Sequence, residues 1–196
     1  MGPLVILVRH GETEWTLSGQ HTGRTEIPLT ENGREQARKL GAVLADRKLA
    51  LVLSSPLSRA LDTCRLVGLG EEVQTTDDLM EWDYGEYEGL TTPEIRTNRP
   101  NWTLWADGAP GGETAASVGA RVDSVIREAR EAMSEEDGDV AIFAHGHLLR
   151  VLTARWLGLP PSEGRLFALD PATFSLLGYE RETAVIRRWN DPGGAL

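Results

Sequence analysis

Arginine and histidine stand side by side at Arg9-His10, just before Gly11, and far along the chain a second signal follows in His145-Gly146-His147. With His21, all four histidines fall where the sequence reads as a strand end or a loop, none on an apolar helical face. A lone histidine is more often a surface or hydrogen-bonded core residue than a catalyst; four placed this way point to a site. Metal binding is one reading, since imidazole is the commonest metal ligand. Against it, no histidines pair at i, i+4 on a helix, no cysteine cluster exists, and the charge of Arg9 beside His10 repels a cation. No metal and no cofactor are expected.

Adjacent arginine and histidine suit phosphoryl transfer. A guanidinium binds phosphate oxygens bidentately while a neutral imidazole nitrogen attacks phosphorus. The ester's own negative charge repels nucleophiles, so arginines that neutralise it and hold the attack in line supply the catalysis. Arg59, in Ser54-Ser55-Pro56-Leu57-Ser58-Arg59-Ala60, offers a further guanidinium. Alone it reads as a solvated residue of a first helical turn, and only its company makes it a candidate. Expelling an alkoxide needs a proton, which a carboxylic acid desolvated near aromatics can hold near neutral pH. Glu81 beside Trp82 is that candidate, but Asp83, Glu86 and Glu88 share the segment and these residues alone do not choose among them. The bland alternative is an acidic, solvated turn.

Strand and helix signals alternate along the chain, as in an α/β domain with a mostly parallel sheet. Residues 4–8 form a continuous apolar run that stops at Arg9-His10, as a central strand does when both its faces are covered. Thr30 is placed to cap a helix reaching about residue 46, with Ala37, Leu40 and Leu44 on one face; residues 49–53 read as a second strand. The next helix is expected to carry Pro56 near its first turn, where a missing N–H costs little. A weak third strand lies near 72–76. Residues 77–112, broken by Pro93, Pro100 and Pro110, read as an irregular, partly helical insertion over the sheet, with Trp102 or Trp105 placed to wall the pocket. Residues 114–133 are a long amphipathic helix, 140–144 a strand, and a helix follows through about 157. Short strands at 165–169, 174–180 and 183–189 are expected at the sheet edge, and 191–196 as a loose tail. The expected fold is a three-layer α/β/α domain over 1–196 with a mostly parallel central sheet and a cap-like insertion near 85–113. Ligands of open α/β sheets bind beyond the carboxyl ends of the strands, which brings His10 and His145 together.

A chain of 196 residues, 40% hydrophobic, is long enough to bury a core without metals or disulfides. Its one cysteine, Cys64, falls within a helix and reads as a small buried apolar residue. With no basic leader before residues 4–8, a cytoplasmic location is expected. No apolar stretch approaches the roughly 20 residues that cross a bilayer. A formal charge of −10 excludes long-range attraction to nucleic acid or an anionic membrane. The expected partner is a small phosphorylated metabolite, captured by a local positive cluster. Whether the chain acts as a monomer or a homodimer does not follow from these residues.

Leu7-Val8-Arg9-His10-Gly11-Glu12-Thr13 resembles the RHG signature of the histidine phosphatase superfamily, which includes phosphoglycerate mutases, acid phosphatases and sugar bisphosphatases. The likeness continues in family order through Gln20 to Thr30, Ser54 to Ala60, Glu81 to Gly85, Pro110 to Glu113 and Ala144 to His147. It implies His10 as the nucleophile that becomes phosphohistidine, with Arg9, Arg59 and His145 forming the phosphate pocket. It implies Glu81 as proton donor to the leaving group and later as base for water, and it puts Thr22, Gly23, Tyr84 and Gly146 near the substrate. His21, Glu81-Trp82-Asp83-Tyr84-Gly85 and His145-Gly146-His147 look especially like a branch of small bacterial acid phosphatases and the fungal sedoheptulose bisphosphatase. There His21 and His147 are read as substrate contacts, with a structural role as the alternative.

Mutases carry an asparagine where this chain has Thr16, another where it has His147, and further basic residues after the glutamate motif. Residues 89–113 supply only Arg96 and Arg99. Retention of a bisphosphorylated intermediate is therefore not expected. The resemblance implies a metal-independent phosphomonoester hydrolase of the acid phosphatase kind. A sugar bisphosphatase of the sedoheptulose bisphosphatase type or a phosphoglycerate mutase is the enzymatic alternative. A catalytically dead module that binds phosphate esters or phosphoproteins is the non-enzymatic one, and intact Arg9, His10, Arg59, Glu81 and His145 argue against it.

Overall fold

In the computed structural model, which describes residues 2–193, strand β1 (Val5–Arg9) is buried through its first four residues. Val5 and Leu7 enter one apolar core while Ile6 and Val8 enter another. This is the period of two that a strand covered on both faces requires. Leu40 and Leu44 of helix α2 (Glu31–Leu44) and Cys64 of helix α3 (Ser58–Leu66) cover one face of the sheet. Val118, Val122 and Val125 of α6 (Ala115–Glu135) and Leu148 and Leu152 of α7 (Gly146–Trp156) cover the other. Thr30 and Thr114 cap α2 and α6 through their hydroxyls, which accept the amides of Gly33 and Ser117. A short helix, α1 (Glu14–Ser18), follows β1.

Among the described residues the sheet has six strands in the order β3-β2-β4-β1-β5-β6, with β2 (Leu49–Ser54), β3 (Gln74–Thr75), β4 (Asp139–Ala144), β5 (Phe174–Glu180) and β6 (Thr183–Asp191). The strands β1, β2, β3 and β4 run parallel, and the β5–β6 hairpin closes one edge antiparallel. Register decides what meets at the carboxyl ends. Arg9 pairs with Ala144 and Ser54 with Phe143, so the residues after β1, β4 and β2 leave the sheet together. The amide of His10 donates to the Ala144 carbonyl at 3.1 Å.

Residues 77–112 form two 3-10 turns (Asp77–Leu79, Gly85–Tyr87) and two short helices, α4 (Thr92–Asn98) and α5 (Leu104–Asp107). The ends of this excursion are tied to each other. The Asp83 amide donates to the Glu113 carboxylate and the Glu113 amide to the Asp83 carbonyl, each at 2.9 Å.

Three local expectations are corrected. Pro56 precedes α3 and lies outside its first turn, because Leu57 is the N-cap. Residues 165–169 form no strand: a 3-10 helix (Pro161–Leu166) wraps over α7, held by the Arg150 Nε donating to the Gly164 carbonyl at 3.1 Å, and β6 already occupies the sheet edge. Of the tail expected at 191–196, Asp191 ends β6, and residues 194–196 lie outside the described residues.

The turn after β1 depends on Gly11 and Gly33, since a Cβ on Gly11 would run into the Gly33 main chain. A Cβ on Gly33, in the first turn of α2, would fall well inside contact with the Glu12 carbonyl oxygen and 2.8 Å from the Glu12 nitrogen, both main-chain atoms. Alanine ordinarily stabilises a helix by about 1 kcal/mol over glycine. Here Gly33→Ala is expected to destabilise the protein by about 1–3 kcal/mol in denaturant unfolding, as overpacking does. It should also slow turnover by moving the chain beside His10; unchanged or increased stability would remove the constraint.

Candidate active site

His10 is 4% exposed, and its Nδ1 lies 2.8 Å from the Gly11 carbonyl oxygen. A carbonyl only accepts, so Nδ1 carries the proton and Nε2 keeps a bare lone pair. Burial, with the charges of Arg59 and Arg9 added, holds this imidazole well below the ordinary histidine range. The ring is therefore neutral, as a nucleophile must be. Arg9 donates through Nη1 to the Leu169 carbonyl. Its guanidinium lies on the backbone of Gly146, where a Cβ would sit 3.1 Å from Arg9 Cζ. Burial works against the Arg9 charge and the nearby Glu81 carboxylate works for it.

Arg59 is fully buried at the start of α3. Its Nη1 donates to the Thr25 carbonyl at 2.9 Å, and its Nη2 to those of Gly23 and Thr22 at 2.8 and 3.2 Å. That loop is held in turn by Glu88, whose carboxylate accepts the amides of Gly23 at 2.8 Å and Thr25 at 3.1 Å. His145, the N-cap of α7, is also fully buried, its ring 5.2 Å from that of His10. Burial first, then Arg59, pushes His145 well below its ordinary value. Among the described residues, three buried side-chain nitrogens have no hydrogen-bond partner: Arg9 Nε, Arg59 Nε and His145 Nδ1. Buried polar atoms are nearly always paired, and two of these are guanidinium donors, so an anion is the partner they suit.

Glu81 faces the same space from the other side. Its carboxylate accepts the amides of Trp82 and Leu148 at 2.9 Å each and of His147 at 3.0 Å, the last two at the N-terminus of α7, where a negative charge is favoured. Arg121 of α6 fixes the segment beneath it, donating to the carbonyls of Asp78, Met80 and Glu81 and pairing with Glu113 at 2.9 Å. The four carboxylates left open by the sequence thus separate. Asp83 accepts the Gly85 amide, Glu86 is exposed, Glu88 holds the Arg59 loop, and Glu81 lines the cavity.

That cavity, about 190 Å³, is lined by Arg9, His10, His21, Thr22, Glu81, Tyr84, Gly146 and His147 among the expected residues. Arg59 and His145 are fully buried and do not line it, and neither does Gly23, whose amide and carbonyl are taken by Glu88 and Arg59. The Tyr84 hydroxyl is 2.6 Å from His147 Nδ1, and the His21 ring is 4.8 Å from that of Tyr84. His147 is in the first turn of α7, so it is helical, contrary to expectation. Trp102 and Trp105 stand behind His21 and His147 and do not wall the cavity themselves. Thr16 lines the cavity, but its hydroxyl donates to the Thr13 carbonyl at 2.7 Å to close the cap of α1.

Sequence reasoning missed Arg150, Trp15, Gly19, Gln20 and Leu169 in the lining. Arg150 could have been found: it follows His147 by three residues on one helix, and i, i+3 neighbours share a face. Its guanidinium lies over the Trp105 ring, 4.6 Å from the centroid. No comparable signal marks Arg121, which is distant in sequence from the carbonyls it holds. Among the described residues, no group of three or more histidines, cysteines or carboxylates is placed to hold a metal ion, and no helix is long and apolar enough to cross a membrane.

Residues 5–192 match the family model of the histidine phosphatase superfamily, branch 1. An acid phosphatase of Mycobacterium tuberculosis is 45% identical over 187 residues, 93% of this chain and 91% of that protein. The sedoheptulose 1,7-bisphosphatase of Saccharomyces cerevisiae is 38% identical over 185 residues, 80% of this chain and 68% of that protein. The solved structure of an open reading frame product from Mycobacterium tuberculosis superposes with a TM-score of 0.93 at 41% identity, covering 99% of this chain and 100% of that one.

The histidine environment has a consequence for stability. His10, His145 and His147 all titrate well below the ordinary 6.5 in the folded protein, chiefly through burial. Below about pH 6.5 the unfolded chain takes up protons that the folded one does not, so stability is full above that pH and is lost as pH falls toward the depressed native values. The slope approaches about 1.4 kcal/mol per pH unit for each histidine involved. The unfolding midpoint is expected to fall between pH 6.5 and 5.5, above the range where ordinary carboxylates titrate. A flat midpoint across that interval would mean that these rings are charged in the native state.

Proposed function

The chain belongs to branch 1 of the histidine phosphatase superfamily and is a phosphatase, and from that premise we propose that it hydrolyses small phosphomonoesters without a metal ion, through a phosphohistidine at His10. One observation carries the reading: a neutral His10 with its Nδ1 proton committed to Gly11 and Nε2 bare, beside guanidinium nitrogens that lack partners. Glu81 takes up a proton as the dianionic ester binds beside it, Nε2 attacks phosphorus as the ester P–O bond breaks, and the departing oxygen takes that proton from Glu81. Water then gives a proton to Glu81 and attacks the phosphorus, the P–N bond breaks, and phosphate leaves with His10 restored. Arg9, Arg59 and His145 hold the non-bridging oxygens through both displacements, where preorganised donors lower the barrier most. Tyr84, Thr22, His21, Gly146 and His147 border the leaving group. Gly23 contributes through the loop that holds Arg59.

A cavity near 190 Å³ is below the usual range for drug-sized ligands, which supports a small metabolite as substrate. The net charge of −10 supports neither nucleic acid nor an anionic membrane as partner, and a cytoplasmic site of action fits a chain whose only cysteine is a buried thiol pushed up to about 12. A second reading, a sugar bisphosphatase, is favoured by Arg150. This cation lines the same cavity beyond His147 and could meet a second anionic group of the substrate.

His10→Ala is expected to abolish turnover and incorporation of label from a phosphate ester into alkali-quenched protein; retained turnover would exclude the covalent route. Arg59→Ala should raise the barrier by about 2.7–4 kcal/mol, the usual loss for one preorganised donor, with a chelator making no difference. For the second reading, Arg150→Leu should lower kcat/KM for a sugar bisphosphate about 10- to 100-fold more than for the matched monophosphate, the worth of a charged hydrogen bond. Equal effects on both substrates would exclude it.

A further inference from the structure

The run Ser54-Ser55-Pro56 joins β2 to α3, and its second serine, to which the sequence assigns no role, reaches the site through His145. Ser55 is fully buried, and its Oγ lies 2.7 Å from His145 Nε2. The same oxygen accepts the Leu57 amide at 3.3 Å. The Ser55 amide donates to the Phe143 carbonyl at 2.9 Å, which ties the serine to β4 immediately before His145. Main-chain bonds therefore fix its position, and only the direction of one proton is open.

A hydroxyl has one proton to give and two lone pairs to offer. With one lone pair taken by the Leu57 amide, two arrangements remain. If Nε2–H donated to Ser55, the hydroxyl proton would need another acceptor in a buried place, and among the described residues Oγ has no further partner. A buried donor left unmade costs about 1–3 kcal/mol. If the hydroxyl donates to Nε2, every group on Ser55 is satisfied. A neutral imidazole that accepts at Nε2 must carry its proton at Nδ1.

The consequence lies on the opposite side of the ring. His145 Nδ1 is buried and has no protein partner, as do Arg9 Nε and Arg59 Nε. With the proton there, all three are donors suited to the same acceptor. In the other tautomer a bare lone pair would take the place of one of them and repel an anion's oxygens. We propose that Ser55 is a positioning residue: its hydroxyl keeps the His145 proton on Nδ1, so that His145 donates to the phosphoryl group held beside His10. The inference rests on the phosphoryl-transfer reading of the site and adds a member that does not touch the substrate. Burial keeps the free ring neutral near pH 7.5, so the choice of tautomer is a real one under working conditions.

The test is 15N NMR of histidine-labelled protein at pH 7.5, with His145 assigned by its loss in His145→Asn. In the wild type, Nδ1 is expected to show the shift of a protonated ring nitrogen and Nε2 that of a bare one. Inorganic phosphate at saturation should move the Nδ1 proton as it gains an acceptor. In Ser55→Ala the proton should redistribute to Nε2, and kcat/KM should fall about 10- to 100-fold, as when a partner orienting a functional histidine is removed. A wild-type ring protonated at Nε2 overturns the proposal, and so does a Ser55→Ala protein that keeps its proton on Nδ1, whatever its activity. A redistributed proton with unchanged kcat/KM also overturns it. The wild-type measurement needs no variant to fold. It is made on the resting protein, whereas the covalent route fails or stands on label trapped during turnover, so the two failures are distinguishable.

Discussion

An imidazole must stay uncharged with two guanidinium groups packed against it, and much of the molecule is arranged around that requirement. Burial alone disfavours the imidazolium, and the charges of Arg59 and Arg9 act in the same direction. The cations are themselves costly to bury, and their cost is offset by main-chain carbonyls and by the field of Glu81. His10, Arg9, Arg59 and Glu81 are therefore one electrostatic unit. Removing any one changes the charge state or the placement of the others.

Arg59, Glu81 and Arg9 are each held by a group with no chemistry of its own. Glu88 holds the loop whose carbonyls hold Arg59, Arg121 holds the segment that carries Glu81, and the bare backbone of Gly146 lets Arg9 lie flat. Strand register does the rest, since Arg9 paired with Ala144 and Ser54 with Phe143 deliver three chain exits to one edge. The charged atoms lie where rigid main chain ends, so their placement is a property of the sheet more than of any loop.

Much of this was legible in the sequence, because it was written locally. An apolar run ending in Arg9-His10 marks a buried strand with chemistry at its tip, and Thr30 sits where a helix cap belongs. What was not legible depends on contacts between distant segments. Four carboxylates between 81 and 88 look alike as residues, and what singles out Glu81 and Glu88 is what reaches them from α7 and from the loop at 22–25. Residues 165–169 look extended, but Arg150 takes the carbonyls of Gly164 and Arg165 and holds the start of that stretch in a 3-10 helix. Ser55 reads as punctuation until a histidine ninety positions away lies against it.

The tie between Asp83 and Glu113, braced by Arg121, closes the excursion over the sheet into a ring with a single base. Beyond Glu88, which must keep its hold on the Arg59 loop, what lies between those two rivets can lengthen, shorten or change its lining while the base stays still. A protein built this way is free to retune which alcohol it accepts without reinventing how it breaks the bond. Diversification within such a lineage should accumulate on the roof and spare the foundation.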